Sequence, residues 1–369
     1  MVGGGPVGAS IARAATGLSV ALVAHQRPVP APSHGFDARV YALTPGNAAF
    51  LGELGAWQSI KPERLTPVHA MRIYGDDASM LQFDAYGAGV PELAWIVEDA
   101  ALQEALWREL DVEVLTAQCR ALAVEDDRAV LTLEDAQALE AKLVVGADGA
   151  SSFVREHAGI AARDRDYGQR AMVANFRCAR PHRNIAYQWF QRGAVLALLP
   201  LPKDHVSMVW SRPAGEAQID ENRLCAAVEL ASGGALGELE LAGAPRSYPL
   251  RRLKAERLVA PRIALAGDAA HVIHPLAGQG LNLGLQDARA LIAALRSREP
   301  LRDPGELGLL RRYERSRAEP ILAMDTMVDS LFRLFGADDA LAARARNFGL
   351  NLADRLPVVK NMLMRQAMQ

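Results

Sequence analysis

The apolar residues of the chain form short unbroken runs at three separate places. Residues 19–24, 143–145 and 263–266 are such runs, and this is the pattern of strands buried on both faces of a parallel sheet. In residues 99–110 leucines recur at every fourth position, which predicts a helix, and a long helix is also predicted over residues 280–295. The parallel-type strands therefore lie at the beginning, in the middle and near the end of the chain.

A second pattern, of β-type segments separated by turns, fills residues 167–210. We predict strands over residues 171–178, 185–190, 194–199 and 205–210. Because this antiparallel region is inserted between the parallel-type strands, one domain is expected to be discontinuous in sequence.

Two further stretches complete the pattern. Short strands are predicted over residues 112–114, 122–124 and 130–133, and residues 304–369 are helical by pattern. The sequence therefore predicts an α/β fold with a Rossmann-like domain, an inserted β-rich domain and a helical C-terminal region.

Composition narrows the classes of function. Half of the 369 residues are apolar and 23% are charged, which excludes global disorder. A net charge of −2 leaves no basic excess to neutralise phosphates, so we predict no nucleic-acid partner. Cys119, Cys178 and Cys225 are too far apart for a disulfide framework or a metal site, and we interpret them as buried or half-buried small side chains in a reducing cytoplasm. No apolar run reaches the ~18–20 residues that span a bilayer.

The first motif with chemical meaning is Gly3-x-Gly5-x-x-Gly8, which precedes an alanine-rich helical stretch. Gly3 permits a tight turn, Gly5 lets the backbone approach a pyrophosphate, and Gly8 lets a helix pack closely against a strand. The acidic residue that usually meets the ribose hydroxyls belongs at the end of the next strand, where this chain has Ala24. Only two residues precede the glycines, and we interpret this short first strand as a truncation or a miscalled start.

The second motif follows the strand at residues 143–145. Its sequence is Gly-Ala-Asp-Gly at residues 146–149, ahead of a predicted helix start. Asp148 and Gly149 suit a nucleotide site, and they equally suit a tight turn with a helix cap. Both interpretations stay open on this segment alone.

The third motif, residues 265–284, is long and specific. Asp268 at a strand end can accept a hydrogen bond from a cofactor hydroxyl. Gly278 and Gly280 allow backbone N–H groups to approach a flat ligand at a helix start, and that end of a helix favours negative charge. An ordinary connection does not require Gly-Gln-Gly-Leu-Asn after His-Pro, so we interpret this motif as functional.

In this order and at this spacing, the three motifs resemble those of the flavoprotein monooxygenases related to p-hydroxybenzoate hydroxylase. Residues 37–43 also match the segment in which that family's arginine meets the FAD pyrophosphate. The closer resemblance is to the ubiquinone-biosynthesis hydroxylases, through residues 274–287, with support from residues 197–201 and 313–315. It covers essentially the whole chain and departs from the family pattern at Ala24 and in the short first strand.

The resemblance implies FAD as the cofactor and NAD(P)H as a co-substrate without a domain of its own. It implies a Rossmann-like (GR2-type) FAD-binding domain at residues 1–70, 97–166 and 251–300. A β-sheet substrate domain is expected at residues 71–96 and 167–250, and a helical region at 301–369. The expected cofactor-binding residues are Gly3, Gly5, Gly8, Arg39, Gln103, Asp148, Gly149, Asp268, Gly278, Gln279, Gly280, Leu281 and Asn282. The expected catalytic residues are Pro275, His274 and Gly280, and no metal is expected; a loop histidine bonded to backbone is an equal alternative for His274.

The same resemblance implies hydroxylation of the ring of a polyprenylated phenol or quinol by oxygen, through NAD(P)H-reduced flavin and a C4a-hydroperoxyflavin. Two alternatives stay open. One is a flavin-poor scaffold subunit of a ubiquinone-biosynthesis complex, motivated by Ala24, and the other is a related FAD enzyme acting on another aromatic substrate. Other proteins of that pathway are possible partners. Residues 358–368 suit contact with the inner face of the cell membrane, or equally a packing helix or partner contact.

Overall fold

The computed structural model describes residues 1–75, 79–191, 193–217, 219–275 and 278–336. The α-helices are α1 (Pro6–Ala14), α2 (Pro45–Glu53), α3 (Ala85–Ala88), α4 (Asp99–Trp107), α5 (Phe153–His157), α6 (Glu221–Ala231), α7 (Gly280–Arg296) and α8 (Leu307–Gly336). The strands are β1 (Ala21–Ala24), β2 (Val40–Leu43), β3 (Leu65–Val68), β4 (Ala70–Tyr74), β5 (Met80–Asp84), β6 (Ala94–Glu98), β7 (Glu113–Thr116), β8 (Cys119–Val124), β9 (Ala129–Leu133), β10 (Ala138–Ala141), β11 (Val144–Gly146), β12 (Ala162–Cys178), β13 (Ile185–Gln191), β14 (Ala194–Pro200), β15 (His205–Pro213), β16 (Leu239–Leu241), β17 (Arg246–Ala255), β18 (Val259–Ala260), β19 (Ile263–Leu265) and β20 (His271–Val272).

The three apolar runs, which are far apart in the sequence, are strands of one parallel sheet. β1 pairs with β7, and β11 pairs with β19, in each case in parallel. Val2 joins the two halves, because it forms parallel bridges to both Val23 and Gly146. The short first strand is therefore present as the central link of the sheet. Since the strand order reverses at this link, the sheet is doubly wound.

Helices α1 and α7 lie together against this sheet, and α4 packs on α1. Helix α1 begins in the manner its sequence favours, with Gly5 extended at the N-cap and Pro6 at the first helical position. The core contains fully buried leucines from several elements, among them Leu102, Leu106, Leu265 and Leu285. This packing fixes the first and third motifs at the same end of the sheet.

A larger, mostly antiparallel sheet carries the inserted region. Its strands run in the order β20, β17, β12, β15, β14, β13, β4 and β5, and β16 pairs with β12 beside this path. Helix α6 covers one face through Leu224 and Val228. The long strand β12 changes register against β17 between Asp166 and Gln169, where Tyr167 and Gly168 bulge out of the ladder.

Three smaller units complete the fold. Strands β8, β9 and β10 form an antiparallel sheet, and β2, β6 and β3 form another beside the parallel sheet. Helix α8 packs on α7 and continues through Pro320. The part of the predicted C-terminal helical region beyond residue 336, including residues 358–368, lies outside the described residues.

The predicted fold class is confirmed, and the predicted parallel-type strands match β1, β11 and β19. The strands predicted over 185–190, 194–199 and 205–210 correspond to β13, β14 and β15, each slightly longer than predicted. The three cysteines are buried or half-buried free thiols, as predicted. Among the described residues no helix is long and apolar enough to cross a membrane.

Candidate active site

The fingerprint turn after Val2 uses its three glycines in different ways. A Cβ on Gly3 would collide with the backbone of Ala147, and a Cβ on Gly8 would overlap the carbonyl oxygen of Gly3. A Cβ on Gly5 would have no described atom within 4 Å. Gly3 and Gly8 are therefore required for packing, whereas Gly5 leaves open space at the N-terminus of α1. The first turn of α1 carries no acidic side chain, so its free N–H groups suit a phosphate.

Ala24 closes β1 beside this turn. Its side chain is 2% exposed, and a Cβ on Gly4 would lie 2.8 Å from the Cβ of Ala24. Trp107 of α4 packs on the same spot and donates its indole N–H to the Gly4 carbonyl oxygen at 2.8 Å. Ala24 therefore supplies no acceptor for a ribose. A cavity of about 250 Å³ lies just beyond, between residues 27–30 and the Glu104 to Arg108 end of α4.

Arg39, the residue before β2, lies beside a cluster of polar side chains from β2 and α4. Its guanidinium carbon lies 5.3 Å from the centre of the Tyr41 ring. Asp99 accepts hydrogen bonds from the Tyr41 hydroxyl at 3.2 Å and from the Gln103 amide at 2.8 Å. Tyr41, Asp99 and Asp268 together raise the pKa of Arg39. Arg39 is thus a fixed cation, and Asp99 holds Tyr41 and Gln103 around it.

Asp268 is the middle residue of a short 3₁₀ turn, Gly267–Ala269, which follows β19. Asp268 is exposed at the surface, yet neighbouring protein atoms partly desolvate its carboxyl group. Desolvation therefore raises the pKa of Asp268, although Arg39 and His271 oppose the shift. Arg39 and Asp268 interact electrostatically while both remain accessible, which is the arrangement of a polar crevice that can receive a ligand with hydroxyl and phosphate groups.

The second motif has a clear structural role. Asp148 accepts hydrogen bonds from the Ser152 hydroxyl at 2.6 Å and from the Val154 N–H at 3.1 Å, so it stabilises the start of α5. Arg155 donates to the carbonyl oxygens of Ala150 and Ala269. It therefore ties the second motif to the turn that carries Asp268. A Cβ on Gly149 would meet no described atom within 4 Å, so this turn also faces open space.

The third motif leads into α7. Gly278 has a positive φ of 62° and donates its N–H to the Pro275 carbonyl oxygen. A Cβ on Gly280, the first residue of α7, would meet no described atom within 4 Å. The first turn of α7 is free of acidic side chains, so the positive end of the helix dipole is uncompensated there. Leu276 and Ala277 lie outside the described residues.

Asn282 fastens this loop to the β2–α2 corner. Its side-chain oxygen accepts from the Thr44 N–H at 3.1 Å and from the Asn47 amide at 2.9 Å. Its own amide donates to the carbonyl oxygen of Ala42 at 2.8 Å and to Gln279. Since the side chain is 1% exposed and bonded to protein throughout, Asn282 positions the loop. Leu281 packs against the core of the parallel sheet.

His274 is buried immediately before Pro275. Gln169 donates its amide to the Gly193 carbonyl oxygen, so its side-chain oxygen accepts from the Nε2–H of His274 at 3.0 Å. The ring also packs against Tyr167 and Phe332, with centroid distances of 4.8 and 5.1 Å. Desolvation lowers the pKa of His274 to about 4. The residue is therefore a neutral contact between the third motif, the large sheet and α8.

These features fit a dinucleotide cofactor with a planar ring system. The open helix start at Gly5 suits a pyrophosphate, the accessible Arg39 and Asp268 suit phosphate and hydroxyl groups, and the α7 N-terminus suits an electron-rich ring. Several contributors were not singled out from sequence, namely Tyr41, Asn47, Asp99, Trp107 and Arg155. In the described part of the chain, no group of three or more His, Cys, Asp or Glu residues could hold a metal ion. The fold and site together define a nucleotide-binding flavoprotein of the Rossmann-like type.

Comparison with known proteins identifies the family. Residues 1–326 match the family model described as an FAD binding domain. The chain is 35% identical to the ubiquinone hydroxylase UbiL of Rhodospirillum rubrum, over 100% of this chain and 88% of that protein. It is 33% identical to the 3-demethoxyubiquinol 3-hydroxylase of Escherichia coli, over 100% and 97% of the two chains. The chain belongs to the FAD-dependent hydroxylase family of ubiquinone biosynthesis, so the predicted family and the FAD cofactor are confirmed.

Solved structures agree on the fold. p-Nitrophenol 4-monooxygenase PnpA from Pseudomonas putida superposes with a TM-score of 0.81 at 21% identity, covering 100% of this chain and 97% of that one. HpxO of Klebsiella pneumoniae, solved with FAD and uric acid, gives a TM-score of 0.78 at 18% identity, covering 99% and 96%. At these identities the likeness establishes the shared architecture.

Proposed function

We propose that this protein is an FAD-dependent monooxygenase that hydroxylates the aromatic ring of a polyprenylated phenol or quinol precursor in ubiquinone biosynthesis. The names of its relatives point to this reaction. The observation that carries the proposal is the fingerprint turn left open at Gly5 together with the accessible charges of Arg39 and Asp268. Reduced FAD, formed with NAD(P)H, would supply the reactivity toward oxygen.

The chain's own residues would bind and orient the cofactor. Gly5 and the α1 N-terminus would receive the pyrophosphate with Arg39, and Asp268 would accept a hydrogen bond from a ribityl hydroxyl. Asp148 and Gly149 would border the FAD and NAD(P)H sites. The α7 N-terminus at Gly280 would favour negative charge on the ring. His274, with its low pKa, would position Pro275 and would not transfer protons at neutral pH.

An apolar cluster next to this loop supports an aromatic, lipophilic substrate. Ile273 and Leu283 belong to the third motif and pack with Phe190 of β13 and Val328 of α8. Ile73, Val195, Met324 and Phe332 extend the cluster as partly buried residues. These packed apolar side chains would keep water away from a ring bound beside them, as a reaction of reduced flavin with oxygen and a phenol ring requires.

The first test is the visible spectrum of the purified protein titrated with FAD, followed by NAD(P)H oxidation with a prenylated phenol. We expect bound flavin, oxidation stimulated by the phenol, and ¹⁸O from ¹⁸O₂ in the product by mass spectrometry. Flavin binding with hydroxylation of a different aromatic compound alone would favour the related-enzyme alternative. Protein without any flavin affinity would contradict the proposal.

Ala24 motivates the scaffold alternative, and one substitution tests whether the missing acceptor at this position limits FAD binding. Ala24→Glu restores an acceptor at the ribose position, so we expect the Kd for FAD to fall about tenfold, in line with ~1–3 kcal/mol for a polar contact. Ala24→Gln is the matched control and should gain less. An unchanged or weaker affinity would contradict the idea that the missing acceptor at position 24 weakens FAD binding.

We also propose contact with the inner membrane surface, because a prenylated substrate is held in the bilayer. The apolar and basic residues of the segment 358–368 support this idea. Flotation of the full chain with liposomes should recover part of the protein with the lipid. Recovery wholly in the soluble fraction, both in lysate and with liposomes, would count against it.

A further inference from the structure

A buried charged network joins His271 of the third motif to Asp287 of α7 and Arg317 of α8. Asp287 of α7 accepts from His271 Nε2 at 2.6 Å, from Arg317 Nε of α8 at 2.7 Å and from the Gly267 N–H at 3.0 Å. His271, Asp287 and Arg317 are 3%, 0% and 5% exposed. Three elements and the turn that carries Asp268 therefore meet at one carboxylate.

Positive and negative side chains alternate from this network toward the crevice that contains Asp268 and Arg39. Arg317 faces Asp287, Asp287 faces His271, and His271 interacts electrostatically with Asp268. Asp268 in turn interacts with Arg39 at the mouth of the crevice. A line of positive and negative groups thus runs from α8 in the interior to the accessible arginine.

We propose that His271, Asp287 and Arg317 are positioning residues for the FAD site, and that their role is to hold Asp268 in the orientation that receives the cofactor. This inference rests on the proposed use of Asp268 for FAD. Asp287 anchors the residue directly before Asp268 through the Gly267 N–H. Gly267 has a positive φ of 62°, which glycine adopts readily, and its N–H bond to Asp287 holds the turn in this conformation.

The charge of the network has a second consequence for Asp268. Burial opposes ionisation of both His271 and Asp287, yet their mutual attraction outweighs it for the pair: the pKa of His271 is raised and that of Asp287 is lowered. A cationic His271 then favours the carboxylate form of Asp268. In the described part of the chain the Nδ1 atom of His271 has no hydrogen-bond partner. The hydrogen bond of the ring to Asp287 is made by Nε2.

The test compares FAD affinity with thermal stability in the full-length apoprotein. His271→Ala removes the donor, whereas His271→Gln keeps an N–H that can reach Asp287. We expect the Kd for FAD to rise about tenfold in His271→Ala, which equals ~1.4 kcal/mol, and to recover to within about threefold in His271→Gln. Asp287→Asn should weaken FAD at least as much as His271→Ala, provided that it folds.

Asp325→Asn is the matched control. Asp325 holds α8 to the large sheet through two bonds from Arg252, at 2.8 and 2.7 Å, and within the described ranges no hydrogen bond joins it to the turn of Asp268. It should lower the melting temperature and leave the Kd for FAD within about twofold. Equal FAD affinity in His271→Ala and the unaltered protein, or equal losses in His271→Ala and Asp325→Asn, would overturn the inference alone. An unaltered protein that binds no FAD would overturn the proposed function and this inference with it.

Discussion

Within the fingerprint turn, one glycine is needed for packing and another leaves the space proposed for the cofactor. Gly5 is extended at the N-cap of α1, a conformation that any residue adopts, and space lies in front of it. Gly8 has no such space, because a Cβ there would overlap Gly3. Two neighbouring glycines of one motif therefore serve different purposes, and substitution can distinguish them.

Gly5→Ala should leave the fold intact and weaken FAD, because the added methyl group enters the space proposed for the pyrophosphate. Gly8→Ala should lower the free energy of unfolding by about 1–3 kcal/mol or more through overpacking. Chemical denaturation and FAD titration of the two variants measure both effects. A loss of stability in Gly5→Ala equal to that in Gly8→Ala would contradict the assignment.

The His271–Asp287 pair makes stability depend on pH in two directions. The pKa of His271 is raised above 6.5, so its contribution is full below pH 6.5 and is lost as pH rises through the folded-state pKa. The pKa of Asp287 is lowered below 3.8, so its contribution is full above pH 3.8 and is lost as pH falls through the folded-state pKa. The pair therefore stabilises the protein most between these two values.

His271→Gln should remove the alkaline part of this dependence. We expect the difference in melting temperature between the unaltered protein and the variant to be largest below pH 6.5 and to shrink as the pH rises through the folded-state pKa of His271. Thermal melts across this range provide the measurement. A constant difference at every pH would show that His271 does not titrate with folding.

Between elements, one asparagine joins the third motif to the β2–α2 corner. Asn282 and Asn47 are 235 residues apart, yet their side chains are 2.9 Å from each other. Asn282 links the start of α7 to Ala42 and Thr44 as well. The position of the loop at residues 278–282 therefore depends on elements near the other end of the chain.

Asn282→Ala should cost roughly 2–4 kcal/mol of unfolding free energy, because it leaves several buried groups without a partner. Asn175→Ala is a suitable comparison, since the side-chain amide of this buried asparagine donates to two acceptors in the described structure, the carbonyl oxygens of Phe36 and Asp37. It should cost about 1 kcal/mol. Urea denaturation of both variants decides the matter, and a loss in Asn282→Ala no larger than in Asn175→Ala would refute the linking role.

The elements that the sequence predicted are those with unbroken apolar runs, because strands buried on both faces carry a strong local signal. β17 was missed because it is rich in arginine and partly exposed. The first half of β12 was missed for the same reason; Asp164 contacts Arg251 across the ladder there, so the pair is held by charge. Helices α2 and α6 were also missed.

The sequence indicated those candidate site residues that lie in short, recognisable segments. The glycines, Arg39 and Asp268 stand in recognisable segments, and the structure places Arg39 and Asp268 within electrostatic reach of each other. Asn47 and Arg155 act through partners remote in sequence, so no local pattern could reveal them.

Across the whole molecule, the proposed FAD site draws on segments from both ends of the chain. Gly5 and Arg39 come early, Gln103 and Asp148 follow, and Asp268 comes late. A ligand that binds all of them stabilises the folded state only, since no unfolded chain assembles the set. FAD should therefore act on the stability of the whole fold.

FAD at 100 times its Kd should add ~2.7 kcal/mol to the free energy of unfolding. A rise in melting temperature with FAD, smaller in Gly5→Ala at the same concentration, is the expected result by differential scanning fluorimetry. FMN, which lacks the adenosine half, is the control ligand and should give a smaller rise. Equal shifts in both proteins would place the FAD contact elsewhere.

The bulge in β12 limits which insertions and deletions the chain can tolerate at this point. Asp166 faces Arg251 and Gln169 faces Leu250, so the strand advances three residues where its neighbour advances one. Both steps are odd, and the alternation of inward and outward side chains is preserved. Removal of one residue here would reverse that parity, turning either Gln169 away from His274 or the first half of β12 inside out. Length variation at this point is therefore tolerable only in steps of two.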